Sequence, residues 1–175
     1  MAWTAPRTWT DGELVTAAIM NPHIRDNFNA LPHLIVKKPS DESVTSNITP
    51  QADDHLILPV GANEIWITEW HILALEGGGN MNYRFSFPSG GQIAFTAHVQ
   101  EVGGTYTNRS IFGTTSPTST NSVALSSLPR DVPIQGIYIN GGTGGSVTFE
   151  WAQQASNAGA TTVKANSLLF AGRVA

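Results

Sequence analysis

The stretch Asn82-Tyr83-Arg84-Phe85-Ser86-Phe87-Pro88-Ser89-Gly90-Gly91 decides the fold class of this chain. Tyr83, Phe85 and Phe87 alternate with Asn82, Arg84 and Ser86. That period of two puts one side of an extended strand in a core and the other in water. The Pro-Ser-Gly-Gly that follows marks a turn, because glycine reaches the positive φ values that tight connections need. The same couple of strand and turn recurs along the chain. Val147, Phe149 and Trp151 alternate with Ser146, Thr148 and Glu150, and Ile65, Ile67 and Glu69 alternate with Trp66, Thr68 and Trp70. Leu56-Ile57-Leu58, Ile134–Ile139 and Thr162–Phe170 are further strand candidates. Gly77-Gly78-Gly79, Gly103-Gly104 and Gly141–Gly145 punctuate them as turns, the last as a hairpin turn. Such spacing predicts a mainly β protein, an antiparallel β-sandwich that is jelly-roll-like, rather than βαβ units. Ile65, Ile67, Phe85, Phe87, Val147, Phe149 and Trp151 are the expected core. The Ser/Thr-rich run Thr114–Ser127 reads as a long surface loop or a frayed edge strand.

Residues 1–40 have another character and read as an N-terminal docking arm, with the β-sandwich domain over 41–175. Thr10-Asp11-Gly12-Glu13 has the spacing of a capping box. Asn21-Pro22 is a helix-start signal, Asn as cap and Pro at the first helical position. Ile24, Phe28 and Leu31 then recur at helical spacing, which predicts a short amphipathic helix from about Pro22 to Ala30, with a turn of helix at Val15–Met20 as a forerunner. A helix this short needs packing to persist. Trp3, Trp9, Ile24, Phe28 and Leu31 are therefore the expected docking and oligomer-interface residues. Residues 33–53 read as a connector with an edge strand.

Composition narrows the function. The chain has 175 residues, 41% of them hydrophobic, enough for one domain with a real core. Only 13% are charged, about half the usual share, and the net charge of -4 gives no long-range pull on nucleic acid. A polar, uncharged surface suits subunits that stay in assemblies. With no cysteine, neither a disulfide framework nor a thiolate metal site is available. No apolar run is long enough to span a bilayer. The N-terminus lacks the basic and apolar regions of a signal peptide, so synthesis in the cytoplasm is expected.

Chemistry has few footholds. The histidines His23, His33, His55, His71 and His98 show no metal-ligand spacing. Asp53-Asp54-His55 sets acid beside imidazole, but consecutive strand residues point to opposite faces, and the triplet reads as a loop entering a strand. There is no G-x-S-x-G, and Gly141–Gly145 lacks the Lys-Ser/Thr of a phosphate loop. Trp66, Trp70, Phe149 and Trp151 are expected in a core or interface rather than on a sugar platform. No catalytic, cofactor or metal residue is assigned.

Two stretches carry a resemblance. Trp9-Thr10-Asp11-Gly12-Glu13-Leu14-Val15-Thr16-Ala17-Ala18, followed by Asn21 and His23-Ile24-Arg25-Asp26-Asn27, resembles a leader common in structural proteins of tailed bacteriophages. Gly145-Ser146-Val147-Thr148-Phe149-Glu150-Trp151-Ala152-Gln153, then Val163 through Ser167-Leu168-Leu169, resembles the closing strands of the same proteins. They include minor tail proteins, tail fibres and other virion appendages, with head decoration proteins among the short ones. The resemblance implies a jelly-roll domain, a homotrimer, location in the virion, and neither cofactor nor reaction.

The expected function is therefore that of a non-enzymatic virion structural protein, docked by its arm on other virion proteins and associated with itself, with no nucleic acid or membrane partner. The alternative is a host-receptor or glycan-binding adhesin that uses the loops Gly77–Asn80, Gly103–Asn108 and Thr114–Asn121. Further off lies a cell-wall hydrolase, for which the carboxylates offer no visible pairing.

Overall fold

The computed structural model describes residues 5, 7–27, 33–100 and 105–174, with only the backbone of Gln100. The chain divides into two compact units, Met1–His33 and Leu34–Ala175. The second begins ahead of residue 41 because two short strands, β1 (His33–Lys37) and β2 (Glu42–Val44), already belong to its sheet.

Ten further strands follow: β3 (Gln51–Val60), β4 (Ile65–Glu76), β5 (Met81–Ser86), β6 (Gln92–Gln100), β7 (Tyr106–Gly113), β8 (Asn121–Val123), β9 (Arg130–Ile139), β10 (Gly145–Gln153), β11 (Thr161–Val163) and β12 (Leu168–Arg173). They form two sheets. One is eight-stranded, in the order β1-β12-β4-β9-β6-β7, with β11 also pairing on β4 and β2 pairing on β11. The other has the order β3-β10-β5-β8.

That order identifies the topology. Strands pair from the two ends of the unit inward: β1 lies beside β12, β3 beside β10, β4 beside β9 and β5 beside β8. β2 also lies beside β11, in the same sheet as β1 and β12, and from there inward successive pairs alternate between the sheets. This is one long hairpin rolled across two layers, the jelly roll. The β6–β7 hairpin is inserted at the tip of the roll, between β5 and β8, and lies along β9 to widen the larger sheet.

The aromatic alternation that opens the sequence reading supplies the core. Phe85 is fully buried, with ring centroids 5.2 Å from Trp70 and 5.1 Å from Phe95 on the opposite sheet, and 5.7 Å from Phe149 on its own. Phe87, Val147 and Trp151 are buried beside it as expected. The expectation for β4 is overturned. Ile67 is 56% exposed, while Trp66, Thr68, Trp70, Ile72 and Ala74 point inward. Sliding the phase by one residue flips every side chain of a strand. The phase that starts on Ile65 would have buried Glu69 and His71, whereas the other buries two indoles and no charge.

Several connections also differ from their local reading. Gly141–Gly145 joins β9 to β10, which lie in different sheets, so it is a crossing over the edge of the sandwich rather than a hairpin turn. Asp53-Asp54-His55 lies inside β3, not in a loop before it. There β3 bulges against β10: the pair Thr148–Ile57 is followed by Glu150–Ala52. Thr114–Ser127 contains both expected features, a loop and the short edge strand β8.

In the N-terminal unit the turn of helix expected at Val15–Met20 is present and runs straight into the next segment. Thr16 caps a turn at Ala17–Met20, and Asn21 is already helical, with φ -60 and ψ -53. Pro22 has no N–H to give, and the turn that holds it widens to Asn21–Arg25, closed by Asp26 N–H on the Asn21 carbonyl. Helix continues to Asn27. The two expected pieces, the turn at Val15–Met20 and the helix from about Pro22, thus form one continuous helical run from Ala17 to Asn27, and residues 28–30 lie outside the described residues.

Candidate functional site

The arm residues come first. Trp9 is 43% exposed and Ile24 is 45% exposed. Leu14, Val15 and Met20 are exposed as well. Trp3, Phe28 and Leu31 lie outside the described residues. The capping-box pair exists as a local clasp. Glu13 N donates to the Thr10 carbonyl at 3.2 Å, and the Glu13 carboxylate accepts from Thr10 N at 3.4 Å and Thr10 Oγ1 at 3.3 Å. It closes a turn at Asp11-Gly12, four residues short of the helix. Glu13 also pairs with Arg7, whose guanidinium lies 5.4 Å over the Trp9 ring. The indole is held in place while much of it faces water.

In the β-unit one charged cluster is buried, and the sequence hid it. Lys38, half of the Lys37-Lys38 doublet, is fully buried. Its Nζ donates to Asp53 Oδ2 and to Glu42 Oε2, each at 2.8 Å. Asp53, also fully buried, uses its other oxygen to accept from His55 N at 3.0 Å and Leu56 N at 2.9 Å. Those two amides lie in the β3 bulge, so the carboxylate holds the bulge and neutralises the lysine together. Burial pulls the Lys38 pKa down, but the hydrogen bonds and charges of Asp53 and Glu42 outweigh it and hold the ammonium above the ordinary lysine range. The cluster is a structural clamp between the start of the larger sheet and the edge of the smaller one.

A second cluster stands on the outer face of the larger sheet. His71 Nδ1 is 2.8 Å from Asp131 Oδ2, and its Nε2 is 3.1 Å from Glu69 Oε1. The Phe170 ring meets it edge-on, with centroids 6.2 Å apart. The bond to Asp131, opposed by partial burial and helped by both carboxylate charges, raises the His71 pKa. Both ring nitrogens are engaged by carboxylates. Nearby His98 Nδ1 lies 2.6 Å from Asn108 Oδ1. Among the described residues no group of three or more His, Cys, Asp or Glu is arranged to hold a metal ion.

Of the three adhesin loops, two stand apart. Gly77–Asn80 precedes β5 and lies against Gly159 and Ala160. The 114–119 loop sits at the far end of β5, where Thr118 N donates to the Phe85 carbonyl and Phe87 N donates to Ser116 Oγ. Gly103 and Gly104 lie outside the described residues. The 114–119 loop borders a groove of about 500 Å³, lined by Arg84, Phe112, Thr114, Thr115, Thr118 and Ser119 among others. No helix among the described residues is long and apolar enough to cross a membrane.

No family model matches this chain, and no curated protein matches it. Among solved structures, a chain of infectious bursal disease virus Gt strain matches at 9% identity and a TM-score of 0.23, over 81% of this chain and 37% of that one. The VP2 subviral particle of the same virus matches at 8% identity and 0.22, over 81% and 39%. The Gx strain matches at 7% and 0.21, over 81% and 35%. This chain thus spans little more than a third of the chains it is similar to. Superposition at that level carries no argument, and the jelly-roll assignment rests on the strand order alone.

Proposed function

We propose that this chain is a non-enzymatic structural protein of a bacteriophage particle, a jelly-roll appendage of the tail or head that docks by its N-terminal segment and assembles with copies of itself as a homotrimer. The observation that carries the reading is the N-terminal unit. Its large apolar side chains Trp9, Leu14, Val15, Met20 and Ile24 are all more than a third exposed. A large apolar side chain gains roughly 1.5–3 kcal/mol on going from full exposure to full burial. These five, each already partly covered, would together gain several times the share that their exposure leaves, enough to seat the segment on a partner. The leader and closing-strand resemblances point the same way, as does a surface poor in charge. The test is incorporation into particles. A chain lacking residues 1–31, and a full-length chain carrying Trp9→Ser with Ile24→Asp, should keep a folded β-unit with nearly unchanged melting yet be missing from purified particles. Normal incorporation of both would overturn the docking role.

A second reading, a glycan-binding adhesin, draws on the groove beside the 114–119 loop. Phe112, 73% exposed, offers a face for a sugar ring, and Arg84 with the neighbouring hydroxyls offers hydrogen bonds. Glycan-array binding that disappears with Phe112→Ala would support it, and a blank array would remove it.

A further inference from the structure

We infer that Lys38 and Asp53 condense within the folded chain into an amide between Nζ and Cγ, a self-made cross-link in which Glu42 carries a proton. The inference goes beyond the function proposed above and does not depend on it. It starts from an amine and a carboxyl that meet with no solvent on either side chain. Other ion pairs of the chain lack that combination. Lys164 and Asp41 are both partly exposed, so water solvates the two ions. Arg84 and Arg173 pair with Glu150 and Glu64 through guanidinium groups, which do not lose a proton to become nucleophiles.

The fold holds both reactants in place. Lys38 directly follows β1 of the larger sheet, and Asp53 lies in β3 of the smaller one. The Lys38 backbone is pinned twice: its N–H donates to the Ser167 carbonyl and its carbonyl accepts from Asn166 N, each at 2.9 Å. Asp53 Oδ1 is pinned by the N–H groups of His55 and Leu56, at 3.0 and 2.9 Å. Nζ then stands 2.8 Å from Oδ2. An amine at hydrogen-bond distance from a carboxyl oxygen lies within about 1 Å of the ~3–3.5 Å at which attack on the carbon begins.

The reaction balances with the groups present. Nζ gives one proton to Asp53 Oδ2, which turns the ion pair into amine and acid. The Nζ lone pair forms a bond to Cγ. The negative charge that develops on Oδ1 falls where the His55 and Leu56 N–H groups already point, the arrangement of an oxyanion hole. Nζ passes a second proton to Glu42 Oε2, 2.8 Å away, and Glu42 returns it to Oδ2. The Cγ–Oδ2 bond breaks, and that oxygen leaves as water with the two protons. Oδ1 becomes the amide carbonyl, and the third proton stays on the amide nitrogen. Nothing is oxidised or reduced, and Glu42 ends as it began.

Folding removes two obstacles that stop this condensation in free solution. The partners are already together, an advantage equivalent to roughly 10⁵–10⁸ M in well-oriented systems. The product is neutral where the reactants are two buried ions, so the cost of keeping those charges out of water disappears. Glu42 is 16% exposed and gives the water a way out. Asp53 and Glu42 hold Lys38 charged, which makes the free amine scarce and the condensation slow. Until it occurs, the pair is the salt bridge described above.

The intact mass of the full-length chain tests this. A preparation kept for a week at mildly alkaline pH should be lighter than its sequence by one water. Glu42 lies between the two residues in sequence. After denaturation and proteolysis on its carboxyl side, the fragments carrying Lys38 and Asp53 should stay joined, with tandem mass spectrometry placing the bond between those side chains. Lys38→Arg keeps a cation beside Asp53 but has no amine, and should retain its full mass. Glu42→Gln keeps both partners and should lose water about 100-fold more slowly, with an unchanged circular dichroism spectrum. Loss at the wild-type rate would overturn the role given to Glu42. A wild-type chain with its full mass and no joined fragments overturns the cross-link, whatever the variants do. A water lost elsewhere, between Lys38 and Glu42 or in a succinimide at an aspartate, overturns it equally.

Discussion

Lys38 Nζ lies 2.8 Å from Asp53 Oδ2, and neither side chain reaches solvent. Removing Lys38 leaves Asp53 charged and buried without a cation, and removing Asp53 leaves the buried Lys38 with Glu42 as its one remaining carboxylate partner among the described residues. Lys38→Met or Asp53→Leu alone should therefore destabilise the β-unit by about 3–5 kcal/mol, and the double substitution by clearly less than the two together. Urea unfolding of the four chains measures both. Simple additivity would show that the pair is not coupled. The folded Lys38 pKa is raised, so its contribution is whole below the ordinary lysine value and is lost only as pH climbs through the higher folded value. The penalty should accordingly stay flat from about pH 7 to about pH 9.

His71 gives the chain a pH dependence nearer neutrality. Its folded pKa is raised by Asp131 and Glu69. The stabilisation is complete below the ordinary histidine value of about 6.5 and fades as pH rises through the raised folded value. Melting temperature, corrected by a His71→Gln chain, should fall slightly as pH rises through that window. An NMR titration of the ring should place its midpoint above the ordinary histidine value of about 6.5; a midpoint below that value would contradict the carboxylate clasp.

Gly136 faces the β6 backbone with no room for a side chain. A Cβ there would come within 2.1 Å of the Ala94 carbonyl oxygen and 2.7 Å of Phe95 Cα. Gly136→Ala must pry β9 from β6, and should cost about 3 kcal/mol or more. At Gly142 an added Cβ meets nothing within 4 Å, so Gly142→Ala should stay within about 0.5 kcal/mol. Equal melting of the two chains would contradict the β6–β9 pairing.

Phe85 joins the two sheets through Trp70 and Phe95 and packs on Phe149 of its own sheet. Phe85→Ala should destabilise by about 3–5 kcal/mol, and Ile72→Ala, in the inward phase of β4, by about 2–5 kcal/mol. A neutral Ile72→Ala would mean that β4 sits in the other phase.

The comparison of sequence with structure turns on how far each signal reaches. Alternation along Tyr83–Phe87 and Val147–Trp151 is carried by adjacent residues, and only one of the two phases is apolar there. Strand, facing and burial were therefore legible without any knowledge of partners. The same reasoning failed on Ile65–Trp70, where both phases begin apolar; the choice falls to the far end of the strand and to the facing sheet. Exposed Trp9 and Ile24 could be named from local pattern, but what they meet is not written in that pattern.

Determined by the sequence itself, then, are the β class, the strand cores with one polar face, the glycine-rich breaks and a distinct leading segment, because each depends on residues within a turn or two of one another. Tertiary structure alone decided that Gly141–Gly145 crosses between sheets, that Lys38 is clamped by Asp53 fifteen residues on, and that Ile67, Ile137, Ala94 and Phe112 line up in one row. Those four come from four separate strands. Only backbone hydrogen bonding between strands, which fixes register at a distance, can bring them level.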